Sequence, residues 1–172
     1  MNRFGLLGRK LSHSYSPRIH QLLYPYSYSL FEKEPWELDA FFKARDFDGI
    51  NVTIPYKKDV ILYCDKVSDI SQRIGSINTI VNKNGKLSGY NTDYHGFLYM
   101  VRESHVLAEN KKIIILGSGG ASLPIKAVFE DLNAGEIIII SRTGKNNYEN
   151  ISLHFDADII VNTTPLGMHP DC

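Results

Sequence analysis

No apolar run in this 172-residue chain is long enough to cross a bilayer. The runs from Ile113 to Leu116 and from Ile137 to Ile140 are far too short, and the opening stretch from Met1 to Gly8 has no apolar core of signal-peptide length. A cytoplasmic protein is therefore expected. Cysteine is scarce: Cys64 and Cys172 are the two present, with no CxxC spacing, which excludes a disulfide framework and a zinc ribbon and leaves both as expected free thiols with no metal site. Excess charge of either sign is also lacking. Lys plus Arg and Asp plus Glu each number 19, giving a formal net charge of zero, so nothing points to a nucleic-acid polyanion or an acidic membrane surface. Small molecules are the expected partners. With 43% hydrophobic residues the chain can fill one generous core or two small ones.

What the sequence does have is a strand that stops at a proline and delivers a lysine: Gly49-Ile-Asn-Val-Thr-Ile-Pro-Tyr-Lys-Lys58. The β-branched alternation predicts a strand from Gly49 to Ile54, and Pro55, which lacks an N–H, ends it. Lys57 then lies beyond a strand's carboxyl end, where ligands of open α/β sheets gather. A fixed cation or a proton donor is one reading; a solvated surface lysine is the other.

Phe4 to Gly8 reads as a buried strand, followed by the polar loop Ser12-His-Ser-Tyr-Ser-Pro17 and a helix with Ser16 as N-cap and Pro17 as first residue. Ile19, Leu22 and Leu23 form its expected apolar face, and Tyr24 with Pro25 its stop. A strand over Tyr28 to Phe31 and an amphipathic helix from Trp36 to Ala44 complete a strand–helix–strand–helix–strand series, which calls for parallel pairing. Short helices are expected at Val60 to Tyr63 and Ile70 to Ile74. Two alternating runs flank Asn84-Gly85, the pair that a type I′ hairpin turn favours. A helix from Tyr94 to Arg102 has Asp93 before it, in an N-cap position.

After a polar boundary the pattern restarts. An apolar strand from Lys111 to Leu116 runs into Gly117-Ser-Gly-Gly-Ala-Ser122, then a helix from Leu123 to Leu132 and strands at Glu136 to Ser141 and Asp158 to Asn162. This is the order of the first half of a dinucleotide-binding fold, in which glycines let the backbone approach a pyrophosphate at a helix N-terminus. An NAD site usually ends its second strand with an acidic residue for the ribose. This chain has Ser141, Arg142 and Thr143, a cation between two hydroxyls that suits the 2′-phosphate of NADP, although a turn arginine at the surface would look the same.

Together these pieces resemble the shikimate dehydrogenases. The resemblance rests on six motifs in family order: Ser12-His-Ser-Tyr-Ser-Pro17, Asn51-Val-Thr-Ile-Pro-Tyr-Lys57, Gly75-Ser-Ile-Asn-Thr79, Gly89-Tyr-Asn-Thr-Asp93 with Gly96, Gly117-Ser-Gly-Gly-Ala121, and Asn162-Thr-Thr-Pro-Leu-Gly-Met168. It implies an N-terminal three-layer α/β substrate domain with a mostly parallel sheet, residues 1–101, and the N-terminal part of a Rossmann-type NADP-binding domain, residues 102–172. The implied reaction is reduction of 3-dehydroshikimate to shikimate by NADPH, within chorismate biosynthesis.

Carried over position by position, the resemblance makes Lys57 and Asp93 the catalytic pair. Ser14 and Ser16 become ligands of the substrate carboxylate, with Thr53, Asn78 and Asn91 as further substrate contacts. Gly117, Ser118, Gly119, Gly120, Ala121, Ser141, Arg142, Thr143, Thr163, Pro165 and Met168 fall to the cofactor. Each has a plainer alternative: Ser16 and Asp93 as helix caps, the asparagines as turn residues. Two departures stand out. Lys10 occupies the place of a usual proline, and Leu123 with Pro124 sits in the first turn of the cofactor helix. The family also continues beyond the equivalent of Cys172, so an incomplete nucleotide domain is expected. Alternatives are a dehydrogenase that also accepts quinate, and a shikimate-binding fragment without activity; a homodimer stays open.

Overall fold

Strands β1 (Phe4–Gly8), β2 (Tyr28–Glu32) and β3 (Gly49–Val52) pair in parallel with β1 between the other two, as strand–helix–strand alternation requires. In the computed structural model, which describes residues 3–23 and 26–167, the chain divides into two compact units between Thr92 and Asp93. The expected boundary at residue 101 therefore falls inside the second unit. The expected helix stop at Tyr24 and Pro25, together with Met168 and Cys172, lies outside the described residues.

The first unit holds a six-stranded sheet in the order β2-β1-β3-β5-β6-β4. Strands β5 (Thr79–Lys83) and β6 (Lys86–Tyr90) form the expected hairpin, with φ of 54° at Asn84 and 77° at Gly85, the left-handed pair that a type I′ turn demands. The hairpin joins the sheet through an antiparallel pairing of β5 with β3. Strand β4 (Lys66–Val67) is only two residues long and has no alternation from which it could be predicted.

Side-chain alternation sends Leu7, Ile50, Val52, Ile80 and Leu87 to one face, where all are buried against Leu38 and Phe42 of α2 (Leu38–Ala44), Phe47 and Val60. Removing each such side chain from water contributes roughly 1.5–3 kcal/mol. The opposite face carries polar residues of three strands: Tyr28, Asn51 and Thr79. Helix α1 (Ser16–Leu23) meets that face through His20, whose ring stacks on Tyr28 with centroids 3.8 Å apart. The apolar face expected of α1 is thus not the one that contacts the sheet, and Ile19, Leu22 and Leu23 are all exposed.

Four further elements have bounds that differ from expectation. β3 ends at Val52 rather than Ile54, although Thr53 still donates its N–H to the Leu7 carbonyl at 2.9 Å. Beyond it a single turn precedes a 3-10 helix over Asp59–Tyr63, and α3 spans Asp69–Ile74. Helix α4 (Thr92–Glu103) begins at Thr92, which places Asp93 within its first turn instead of at the cap.

The second unit is a parallel sheet in the order β8-β7-β9, from β7 (Lys112–Leu116), β8 (Glu136–Ile140) and β9 (Ile159–Asn162). Helix α5 (Ser122–Asp131) crosses from β7 to β8. Ile113 and Ile115 point to Phe129 of α5, while Ile114 packs with Ile138 and Ile140 on the other face. Ile113, Ile114 and Ile115 of the central strand β7 are all buried, as a parallel strand covered on both faces requires. Phe97 of α4 meets Phe129 edge to face, with centroids 5.5 Å apart.

Candidate active site

Past the carboxyl end of β3 the chain passes through Thr53 and a cis Ile54–Pro55 peptide to Tyr56 and Lys57. Tyr56 is buried and donates its hydroxyl to the Lys33 carbonyl, which anchors the turn. Lys57, half-buried, accepts the Ile77 N–H on its carbonyl at 2.7 Å. One residue on, Asn78 accepts the Val52 N–H at 2.8 Å and donates its own to the Tyr90 carbonyl at 3.0 Å. These backbone bonds bring the 53–57 turn, the 76–78 segment and the end of β6 together. Within this frame Asn78 and Asn91 are both buried. Asn91 donates its side-chain amide to the Ser76 carbonyl at 3.0 Å, and Thr92 donates its N–H to Asn78 Oδ1 at 2.9 Å. Thr53, Lys57, Asn78 and Asn91 are therefore neighbours in the first unit. Asp93 opens the second unit, half-buried in the first turn of α4.

The two serines divide their local duties differently from expectation. Ser14 Oγ accepts the Ser16 N–H at 3.2 Å, so the hydroxyl that caps the entry to α1 belongs to Ser14. That contact uses a lone pair of Ser14 and leaves its proton for another acceptor. On the sheet beside α1, the Tyr28 hydroxyl donates to Asn51 Oδ1 at 2.7 Å. Asn51 Nδ2 donates to Thr79 Oγ1 at 3.3 Å, and Thr79 Oγ1 to Asn78 Oδ1 at 3.1 Å. A polar chain thus crosses the sheet from Tyr28 to Thr92.

Burial pushes the Tyr28 phenol up to about 12, the neighbouring Tyr26 adds to the rise, and the nearby Ser16 hydroxyl opposes it. His20, stacked on the same ring, is held below its ordinary value by burial. Tyr28, Asn51, Thr79 and Thr92 were not singled out from the sequence. Their contacts join residues 23 and 28 positions apart, and no local periodicity encodes such pairs.

In the second unit the three strand ends converge on the glycine turn. Gly117 donates its N–H to the Ile140 carbonyl at 2.8 Å, and Thr163 donates both its N–H and its hydroxyl to the Leu116 carbonyl at 2.8 and 2.7 Å. Gly117 has φ of 102°, and a Cβ there would lie 2.8 Å from Thr163 Oγ1. A Cβ on Gly119, by contrast, would meet nothing within 4 Å, so this part of the turn faces open space. Ser118, Gly120 and Ala121 complete the turn, and buried Ser122 locks its far side by donating to the Gly119 carbonyl at 2.7 Å.

Beyond β8, Ser141 donates its N–H to the Asn146 carbonyl at 3.1 Å, which folds the segment back and leaves Arg142 and Thr143 exposed. No carboxylate occupies the two positions after Ile140. An open glycine turn at a helix start, with an exposed arginine at the end of the second strand, fits a dinucleotide bearing a 2′-phosphate. Pro165 is exposed in the turn after β9.

The profile of the shikimate dehydrogenase substrate binding domain matches residues 6–80. A shikimate dehydrogenase (NADP(+)) from Clostridium beijerinckii is 40% identical over 190 aligned positions, covering 99% of this chain and 70% of the relative. One from Clostridium perfringens is 36% identical over 192 positions, with 99% and 71% covered. Among solved structures, shikimate dehydrogenase 1 from Peptoclostridium difficile superposes with a TM-score of 0.88 at 38% identity, covering 99% of this chain and 69% of that one. The Thermus thermophilus enzyme, solved in complex with NADP(H) and shikimate, gives a TM-score of 0.83 at 28% identity, covering 96% and 69%.

Proposed function

This chain belongs to the shikimate dehydrogenase family, and on that premise we propose that it serves the NADP-dependent reduction of 3-dehydroshikimate to shikimate. The observation that carries the reading is the clustering of Thr53, Lys57, Asn78 and Asn91 beyond the carboxyl end of β3, where hydrogen bonds to Ser76 and Thr92 fix both asparagine amides. Rigid amide donors and acceptors suit a polyhydroxylated ring, because each orientation matches one hydroxyl and rejects its epimer.

Ser14 and Ser16 meet the substrate carboxylate as hydroxyl donors beside the start of α1. Lys57 donates a hydrogen bond to the ring carbonyl oxygen as that oxygen gains negative charge, and supplies the proton it needs to become a hydroxyl. Asp93 orients the lysine and balances its charge. The glycine turn from Gly117 to Ala121 accommodates the pyrophosphate, Arg142 with Ser141 and Thr143 the 2′-phosphate, and Thr163 and Pro165 border the same turn. When bound, the nicotinamide supplies the hydride.

A paired assay tests this reading. Shikimate and quinate are each offered with NADP and with NAD, and nicotinamide reduction is followed by absorbance. Turnover of shikimate with NADP well above the other three pairings is the expected result; no turnover together with no shikimate binding rejects it. Binding without turnover leaves the substrate assignment standing and rejects catalysis by this chain.

A further inference from the structure

The loop that carries Ser14 is held from the end of the sheet. β1 and β2 stay in register as far as Gly8 and Glu32, and the Lys33 N–H closes their ladder on the Gly8 carbonyl at 3.0 Å. Leu11, past the end of β1, is buried, and its N–H needs an acceptor that the ladder no longer supplies. The Glu32 side chain provides one: Oε1 accepts the Leu11 N–H at 2.6 Å. The Leu11 carbonyl in turn accepts the Ser14 N–H at 2.9 Å. The Leu11 side chain is seated as firmly as its backbone. Its Cδ2 lies 2.6 Å, and the Thr53 methyl 2.8 Å, from where a Cβ on Gly8 would stand, so the glycine leaves room for both.

From this arrangement we infer that Glu32 is a positioning residue for the carboxylate subsite, acting on Ser14 through Leu11; the inference rests on the reading of Ser14 given above. With its N–H bonded to Glu32 and its side chain buried, Leu11 is fixed at two points, and its carbonyl keeps one direction. That carbonyl holds the Ser14 backbone. Ser14 Oγ accepts the Ser16 N–H at 3.2 Å and keeps its own proton for the ligand, so the hydroxyl is in place before a carboxylate arrives. A donor already ordered costs less conformational freedom on binding. Glu32 itself is exposed, and its effect on the ligand runs through the loop. The loop has a separate tie at Arg9, whose N–H reaches the Ile54 carbonyl at 3.4 Å, but that bond lies before Leu11 and leaves the path to Ser14 to Glu32.

The test combines amide hydrogen exchange, read by NMR without ligand, with calorimetric titration of shikimate and of shikimate methyl ester. The proteins are the wild type, Glu32→Ala, Glu32→Gln, Ser14→Ala and the Glu32→Ala/Ser14→Ala double variant. Glu32→Ala is expected to speed exchange at the Leu11 and Ser14 amides by at least about tenfold. It should weaken shikimate binding about fivefold, the effect of one lost hydrogen bond, but the ester less than about twofold, because an uncharged oxygen gains less from Ser14 than a carboxylate does. Glu32→Gln keeps an acceptor oxygen and should stay within about twofold of the wild type in both measurements. In the Ser14→Ala background the Glu32→Ala effect on shikimate should fall below about twofold, because the residue it acts through is gone. Unchanged exchange or an unchanged shikimate Kd in Glu32→Ala, equal losses for acid and ester, a loss in Glu32→Gln as large as in Glu32→Ala, or the full effect persisting without Ser14 would each overturn the inference while the proposed function stands. A wild-type chain that does not bind shikimate overturns both.

Discussion

Thr92 holds the side-chain amide of Asn78 by both ends: its backbone N–H donates to Oδ1 at 2.9 Å, and its hydroxyl lies 2.9 Å from Nδ2. Asn78 is buried, so this clasp fixes which way the amide faces. Asn78→Ala would strip the partner from the Thr92 N–H at the start of α4 as well as from Thr79. The expected loss of stability is about 1–3 kcal/mol, read from urea unfolding. A midpoint within error of the wild type would show that the clasp contributes nothing to folding.

Gly117 allows a test of the second unit. With φ at 102° and Thr163 Oγ1 only 2.8 Å from where a Cβ would stand, Gly117→Ala must strain the backbone and push the threonine aside. Roughly 1–3 kcal/mol of destabilisation is expected, together with weaker NADP binding. Gly119→Ala is the control, since its Cβ would meet nothing within 4 Å. If the two variants unfold alike, the turn does not have the shape described.

These glycines show where sequence was sufficient and where it was not. The turn after β7 and the Asn84-Gly85 hairpin were legible because a positive φ leaves a local signature in residue type. The three parallel strands were legible because alternation with helices restricts pairing. The antiparallel insertion of β5 against β3 was not, because nothing in either strand names its partner, and two-residue β4 carries too little pattern to detect. At the site, Lys57 could be placed at a strand end from Pro55 alone. Its expected pairing with Asp93 and the expected carboxylate role of Ser14 and Ser16 came from family motifs, and the Tyr28–Asn51 hydrogen bond was invisible because it is made across the sheet.

Cofactor choice should follow Arg142. With no carboxylate at the end of β8 to receive a ribose hydroxyl, Arg142→Ala is expected to raise the KM for NADP about tenfold and to change the KM for NAD little. Steady-state kinetics with both nucleotides measures the ratio. Equal changes for the two would place the 2′-phosphate contact elsewhere.

The amino-terminal edges of β7 and β9 are tied by exposed ion pairs with a definite pH signature. The Asp158 carboxyl is held below its ordinary value by the Lys111 ammonium at 2.9 Å and next by the Lys112 N–H at 2.9 Å. Lys112 does the same for Asp156 through a 2.7 Å contact. A carboxyl depressed in the folded state stabilises fully above its unfolded pKa, and that contribution is lost as pH falls through the folded value. The thermal midpoint should therefore decline from about pH 5 downward, and Asp158→Asn should flatten part of that decline. An acid slope identical in wild type and variant would contradict the assignment.

The central claim is that Lys57 serves the chemical step, and comparing wild type with Lys57→Ala tests it most directly. Turnover of 3-dehydroshikimate with NADPH is measured for both, alongside the shikimate Kd. The account predicts a fall in kcat of at least about a hundredfold, with the Kd changed by no more than about threefold. Unchanged turnover in Lys57→Ala would contradict it.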